Sequence, residues 1–140
     1  MDTGHSLDGN GKTQMNIDTL LLRQIHPSWM KVGRVTSQAF RPTQKDARKL
    51  SVSDGDMVTP QVSWERHVNR GHPSVGVLAV TVQECKDVEL TSQSCPILPD
   101  QPEHAIIDFS DVPSNSQVEK LSKHLTVMAT HRNWCFLPDK

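Results

Sequence analysis

The stretch that most restricts the possible folds of this chain is its most apolar run, SVGVLAVTV, over residues 74–82. Valine is β-branched and favours extended backbone, and a short apolar run of this length is typical of a strand buried on both faces. Gly76 within the run allows another backbone to approach closely. The run therefore predicts the central strand of a sheet, and the other elements have to be arranged around it.

Shorter patterns predict the elements that surround this strand. Thr59 followed by Pro60 is a good helix start. Threonine caps the helix, and proline occupies the first helical position, where no N–H is needed for a hydrogen bond within the helix. Ser116 and Glu119 form a predicted capping box at the start of an amphipathic helix of about four turns. Further strands are predicted at 20–25, 32–40, 50–52, 104–109 and 134–137, a helical turn at 83–88 and a loop at 90–101.

Together these elements predict an α+β fold, with a small mixed or antiparallel sheet and about two helices packed on it. A chain of 140 residues is most simply one domain. Its first residues are polar and rich in glycine, which predicts a disordered tail over residues 1–15. The single α+β domain is then expected to cover residues 16–140.

The cysteines and the apolar runs indicate where such a chain resides. Cys85, Cys95 and Cys135 are odd in number and widely spaced, unlike the disulfide framework of a small secreted domain. No apolar run approaches the roughly 20 residues that cross a bilayer, and the first residues carry no apolar signal segment. We therefore expect a soluble, cytoplasmic protein that does not enter a membrane.

Charge is distributed in two blocks of opposite sign. Residues 23–49 carry seven Lys or Arg against one Asp, a net +6, whereas residues 82–118 carry one Lys against seven acidic residues, a net −6. The whole-chain charge of −1 hides this separation, and local fields decide which partners a surface attracts. The aromatic content of 4%, without tyrosine, argues against a base-stacking platform and so against bulk nucleic-acid binding.

The first functional hypothesis follows from these two blocks. A basic N-terminal face and an acidic later face allow the protein to dock on a protein partner or on a second copy of itself. Electrostatics would then set the rate and specificity of docking more than its strength. This hypothesis describes a small accessory or interaction protein.

The alternative hypothesis is an anion site within the basic block. Guanidinium groups offer forked N–H donors that suit phosphate or carboxylate, and hydroxyl and imidazole groups add further donors. If the early strands pair, such donors converge on one anion. The predicted anion-binding residues are Arg23, His26, Arg34, Ser37 and Arg41.

An enzyme or sensor that binds an anionic nucleotide such as NAD is the sharper form of this alternative. Arg23, Ser51 and Glu84 on separate strands would then be catalytic, in an arrangement like that of ADP-ribosyltransferases, where a carboxylate stabilises a cationic transition state. His104, at the start of a predicted strand, is a possible acid–base group. No metal is predicted, because zinc-type ligand spacing is missing, and no cofactor is expected apart from NAD under this alternative.

Four runs of this chain are similar to a family of short, uncharacterised bacterial proteins: LLRQIHPSWMKVGRVTSQAFRPTQKD, KLSV, VGVLAVTVQEC and PEHAIIDF. The resemblance covers roughly residues 20–134. It implies a bacterial origin and one autonomous folding unit. It implies no activity and assigns no functional residue.

Overall fold

A five-stranded antiparallel sheet organises the computed structural model, which describes residues 5–7 and 13–138 of the chain. The strands and helices are β1 (His5–Leu7), β2 (Thr13–Met15), β3 (Leu20–Gln24), β4 (Met30–Lys31), β5 (Arg34–Val35), β6 (Lys49–Asp54), α1 (Pro60–Asn69), β7 (Val77–Thr81), α2 (Val82–Asp87), β8 (Thr91–Ser94), β9 (His104–Asp108) and α3 (Asn115–Arg132). Across the sheet the order is β7-β3-β6-β9-β8, and every neighbouring pair is antiparallel. The predicted α+β class is confirmed.

The sheet buries a separate apolar cluster on each of its faces. Successive side chains of a strand point to opposite sides, so Leu21 of β3 and Ile25 just after it face one cluster, and Leu22 faces the other. Helix α3 contributes to the larger cluster, and α1 packs against the smaller one. The largest fully buried side chains of the larger cluster are Phe40, Phe109, Leu21, Ile25, Leu78, Leu90, Ile107 and Leu125.

Capping side chains set the starts of the two longer helices. The side chain of Thr59 accepts a hydrogen bond from the Val62 N–H, so the predicted start of α1 is confirmed. The capping box predicted at Ser116 is wrong. Ser114 has extended backbone and its hydroxyl accepts from the Gln117 N–H, so α3 begins two residues earlier.

The strand predicted over residues 32–40 is wrong. Strands β4 and β5 form a short hairpin there, because Val32 and Gly33 both have positive φ, 51° and 75°, and reverse the chain in two residues. After β5 the chain forms a 3₁₀ helix over Ser37–Phe40, which buries Phe40 completely. The sequence alternation in this segment was too weak to distinguish a strand from this compact turn-and-helix arrangement.

The apolar run at residues 74–82 forms β7, but at the edge of the sheet and not at its centre. Its outer side is covered by the C-terminal segment, since the Val77 N–H donates to the Phe136 carbonyl and the Cys135 N–H donates to Val77. A Cβ at Gly76 would lie 2.8 Å from the Phe136 carbonyl oxygen, so glycine is needed for this approach. The side chains of this edge strand are apolar because they pack into the apolar clusters on both faces of the sheet, and the chain end covers part of its backbone edge.

The N-terminal segment forms a short strand pair where the structure describes it. Strands β1 and β2 pair antiparallel, and Met15 at the end of β2 is buried in the larger cluster. Residues 1–4 and 8–12 lie outside the described residues, so disorder there stays a prediction.

Strand β8 replaces part of the loop predicted at 90–101. Among the described residues, no helix combines the length and apolar character needed to cross a membrane.

Candidate functional site

A cleft opens where strands β3 and β6 separate. The two strands pair only at Leu21↔Asp54 and Leu22↔Ser53, and beyond this point a cavity of about 510 Å³ lies between them, α1 and the β8–β9 connection. We call it the histidine–arginine cleft. Its lining residues are Leu22, Arg23, Gln24, His26, Trp29, Ser51, Val52, Ser53, Ser63, His67, Arg70, His72, Pro73, Ile97, Gln101 and His104.

Arg23 bridges the two separating strands. Its Nε donates to the carbonyl of Ala39 and its Nη1 donates to the carbonyl of Ser51, each at 2.8 Å. The guanidinium carbon also lies 4.9 Å from the ring centroid of Trp29, a cation–π contact. Burial lowers the pKa of Arg23 to about 10, while the charge of Asp46 opposes that shift. Arg23 therefore remains a fixed positive charge at neutral pH.

Two histidines meet at the end of α1. The chain reverses at Gly71, whose φ is +90°, and brings the ring of His72 to 5.1 Å from that of His67. Burial, and after it the positive charges of His72, Arg70, Arg23 and His26, lower the pKa of His67 to about 4. The His67 ring is thus neutral at pH 7 and lies in a positive electrostatic environment.

This lowered pKa predicts a pH-dependent stability. Between pH 6.5 and about 4 the unfolded chain binds a proton at His67 that the folded chain does not, so stability is complete above pH 6.5 and is lost as pH falls. Because the ring is half-exposed, solvent screening limits the loss to about 1 kcal/mol. Urea unfolding at pH 7 and pH 5 should show this extra loss in the wild type and not in His67→Gln; equal losses in both would contradict it.

His104 and Ser51 form a hydrogen-bonded pair at one side of the cleft. The sheet register places His104 opposite Ser53 and diagonal to Ser51 on the same face. The Nδ1 of His104 lies 2.8 Å from the Cys95 carbonyl, and its Nε2 lies 3.1 Å from Ser51 Oγ. A carbonyl can only accept, so in the neutral form of the ring Nδ1 carries the proton and Nε2 accepts from Ser51 Oγ–H.

The charged side chains that line the cleft are all positive. Two arginines and four histidines line it, and none of its lining residues is Asp or Glu in the part of the chain that the structure describes. The nearby carboxylate of Glu103 is buried and bonds Arg66 at 2.7 Å, which neutralises it. The cleft therefore favours anions over cations.

A second basic cavity of about 490 Å³ adjoins the first, since Arg23 and Trp29 line both. Arg41 and Arg48 lie in the second cavity. Arg48 is held by hydrogen bonds of 2.7 Å to the Val112 carbonyl and to Asn115 Oδ1. Three of the five predicted anion-binding residues line these cavities: Arg23 lines both, His26 lines the first and Arg41 lines the second.

The structure brings together some of the predicted site residues and separates others. Arg23, His26, Ser51 and His104 line the histidine–arginine cleft, whereas Arg41 lies in the second cavity. The remaining predicted anion ligands, Arg34 on β5 and Ser37 in the 3₁₀ helix, line neither of these cavities.

Glu84 does not join Arg23 and Ser51, so the predicted Arg–Ser–Glu arrangement is not formed. Glu84 completes a capping box with Thr81 at the start of α2, and its carboxylate pairs with Arg132 at 2.8 Å. Burial alone would raise the pKa of Glu84, but hydrogen bonds from Arg132 and Thr81 hold it below its usual value. The role of this carboxylate is to cap a helix and fix the C-terminal end of α3.

Sequence reasoning missed Trp29, Arg70 and the pair His67 and His72 as members of one cleft. The two histidines are five residues apart and separated by Gly71, which suggested that they need not share a face. The helix end at Asn69 and the left-handed Gly71 were the signal that could have shown the chain reversal.

Among the residues that the structure describes, no three His, Cys, Asp or Glu side chains lie close enough together to hold a metal ion. Cys85, Cys95 and Cys135 are free thiols, and burial raises the pKa of Cys85 to about 12, so this thiol is unreactive at neutral pH.

Comparison with known proteins gives no match to a family model, to a curated protein or to a solved structure, so the resemblance to a family of short bacterial proteins stays a prediction.

Proposed function

We propose that the protein binds a small organic phosphate in the histidine–arginine cleft, as an enzyme or sensor of an anionic ligand. The observation that carries this proposal is the lining itself: two arginines and four histidines with no acidic residue among them. Such a set of N–H donors and positive charge is what a phosphate group requires. The proposal does not include the hypothesis of NAD-dependent catalysis, because that hypothesis required Glu84 beside Arg23 and Ser51.

The size and the polar groups of the cleft support a ligand larger than a free ion. A volume of about 510 Å³ suits a nucleotide or a sugar phosphate. Gln24 is held by Ser63 and Ser74, which orients its amide at the cleft edge. Arg23 supplies a fixed charge, and the exposed Arg70 supplies a guanidinium free to adjust to the ligand.

Isothermal titration calorimetry with matched ligand pairs tests this proposal. AMP and ribose 5-phosphate should bind, adenosine and ribose should not, and binding should weaken as salt rises because the attraction is electrostatic. Arg70→Ala should weaken phosphate binding about tenfold, through the loss of one charge-assisted contact of roughly 1.4 kcal/mol.

Arg34→Ala is the matched control, since Arg34 is an exposed arginine that lines neither basic cavity. It should leave phosphate binding unchanged. Absence of heat with every phosphate, or an equal effect of the Arg34 and Arg70 substitutions, would contradict the cleft as the binding site.

Docking on a protein partner or on a second copy remains the second candidate. Glu89, Asp108 and Asp111 line a separate acidic cavity of about 470 Å³, so the structure offers acidic and basic surfaces at different places. The same titrations distinguish the candidates, since a docking surface alone gives no preference for AMP over adenosine. The cytoplasmic location and bacterial origin predicted from the sequence belong to both candidates.

A further inference from the structure

We propose that Ser51 is a nucleophile activated by His104, and that it attacks the phosphorus of a phosphate ester held in the histidine–arginine cleft. This inference rests on the proposed function, because the cleft supplies the positive charge around the ligand. It adds a reaction to binding: transfer of a phosphoryl group to Ser51 and then to water.

The geometry supplies the three parts that such a nucleophile requires. Ser51 Oγ lies 3.1 Å from His104 Nε2, within reach for proton transfer. The other ring nitrogen is held by the Cys95 carbonyl at 2.8 Å, which fixes the tautomer whose Nε2 accepts a proton. Reciprocally, the Cys95 N–H donates to the His104 carbonyl, so the orienting group is itself part of the sheet edge.

Ser51 is open to a ligand. It occupies an exposed position of β6, between the buried Leu50 and Val52, so its hydroxyl faces the cleft and not the core. Water reaches this position, and the fold therefore does not need the imidazole bond to satisfy a buried hydroxyl. Arg23 donates to the carbonyl of the same residue, which fixes the Ser51 backbone and places a positive charge beside the reacting centre.

The proposed reaction has two steps. Ser51 Oγ forms a bond to phosphorus as the bond from phosphorus to the alcohol oxygen breaks; the serine proton moves to His104 Nε2 and then to the departing oxygen. Water next attacks the phosphoserine, gives a proton to Nε2, and releases inorganic phosphate while Ser51 recovers its proton. The positive side chains of the cleft stabilise the negative charge on the phosphoryl oxygens in both steps.

A fluorophosphonate probe tests the nucleophile without requiring the natural ligand. Attack by Ser51 forms an oxygen–phosphorus bond and expels fluoride, with the serine proton passing through His104 to solvent. Intact-mass spectrometry and peptide mapping should find one adduct, on Ser51, absent in Ser51→Ala and formed at least about 100-fold more slowly in His104→Gln. Circular dichroism of both variants checks that they are folded.

Ser116 serves as the internal control, being an exposed serine on α3. It should stay unlabelled. Absence of an adduct on Ser51, equal labelling of Ser116, or an unchanged rate in His104→Gln would overturn the inference. If the inference fails and AMP still binds, the proposed function stands and only the role of Ser51 as a nucleophile is wrong. If Ser51 is labelled but no phosphate binds, Ser51 is a nucleophile and the proposed phosphate binding is wrong.

Discussion

Replacing Arg23 with methionine is expected to lower the free energy of unfolding by about 2–3 kcal/mol and to remove phosphate binding. The substitution keeps a long apolar stem but leaves the carbonyls of Ala39 and Ser51 without their donor, and an unpaired acceptor costs about 1–3 kcal/mol where it is buried. The Ser51 carbonyl is reached by water, so the combined cost lies below the sum of two buried groups. Urea unfolding and calorimetry with AMP measure the two effects.

Arg23→Lys separates charge from geometry. A lysine keeps the positive charge, but its single ammonium does not span two carbonyls as the guanidinium fork does. We expect a loss of about 1–2 kcal/mol in unfolding free energy, with part of the phosphate affinity retained. Unfolding of Arg23→Met at the wild-type urea midpoint would contradict the bridging role.

Replacing Phe109 with alanine is expected to lower the free energy of unfolding by about 3–5 kcal/mol. Phe109 follows β9, is fully buried, and packs in the larger cluster with Leu125 of α3. Truncation removes buried apolar area and leaves a cavity, which neither the antiparallel sheet nor α3 can move to fill. Urea unfolding of the purified variant measures the loss.

Leu98→Ala is the control for this substitution, because Leu98 is 75% exposed. It should change the unfolding free energy by less than about 0.5 kcal/mol, as is usual for surface positions. Phe109→Leu should fall between the two. A loss below 1 kcal/mol in Phe109→Ala would show that the larger cluster does not depend on this ring.

The secondary structure was predictable where the pattern was local and strong. The Thr59–Pro60 start of α1 and the strands β3, β6 and β9 follow from caps and apolar runs that act within a few residues. The segment at 32–40 was not predictable in this way, because the hairpin turn at Val32 and Gly33 competes with a weak alternation that suits a strand equally well.

Part of the candidate site was also predictable. The sequence identified Arg23, His26, Ser51 and His104 by residue type, and the structure places all four in one cleft. Glu84 was the reverse case: its side chain was a plausible catalytic carboxylate by type and position, yet it caps α2 and pairs with Arg132. A carboxylate three residues after a threonine at a strand end was the local signal for that capping role.

The sequence by itself determined the α+β class, the start of α1 and which residue types were available to hold an anion, because these depend on periodicity, capping and composition within short windows. Only the tertiary structure decided that β7 lies at the sheet edge under the chain end, that β3 and β6 separate after two residue pairs, and that Ser51 meets His104 across a diagonal. Each of these depends on strand order and register between segments 28 to 59 residues apart. No local pattern specifies such pairings, since many registers satisfy the same alternation of apolar and polar residues.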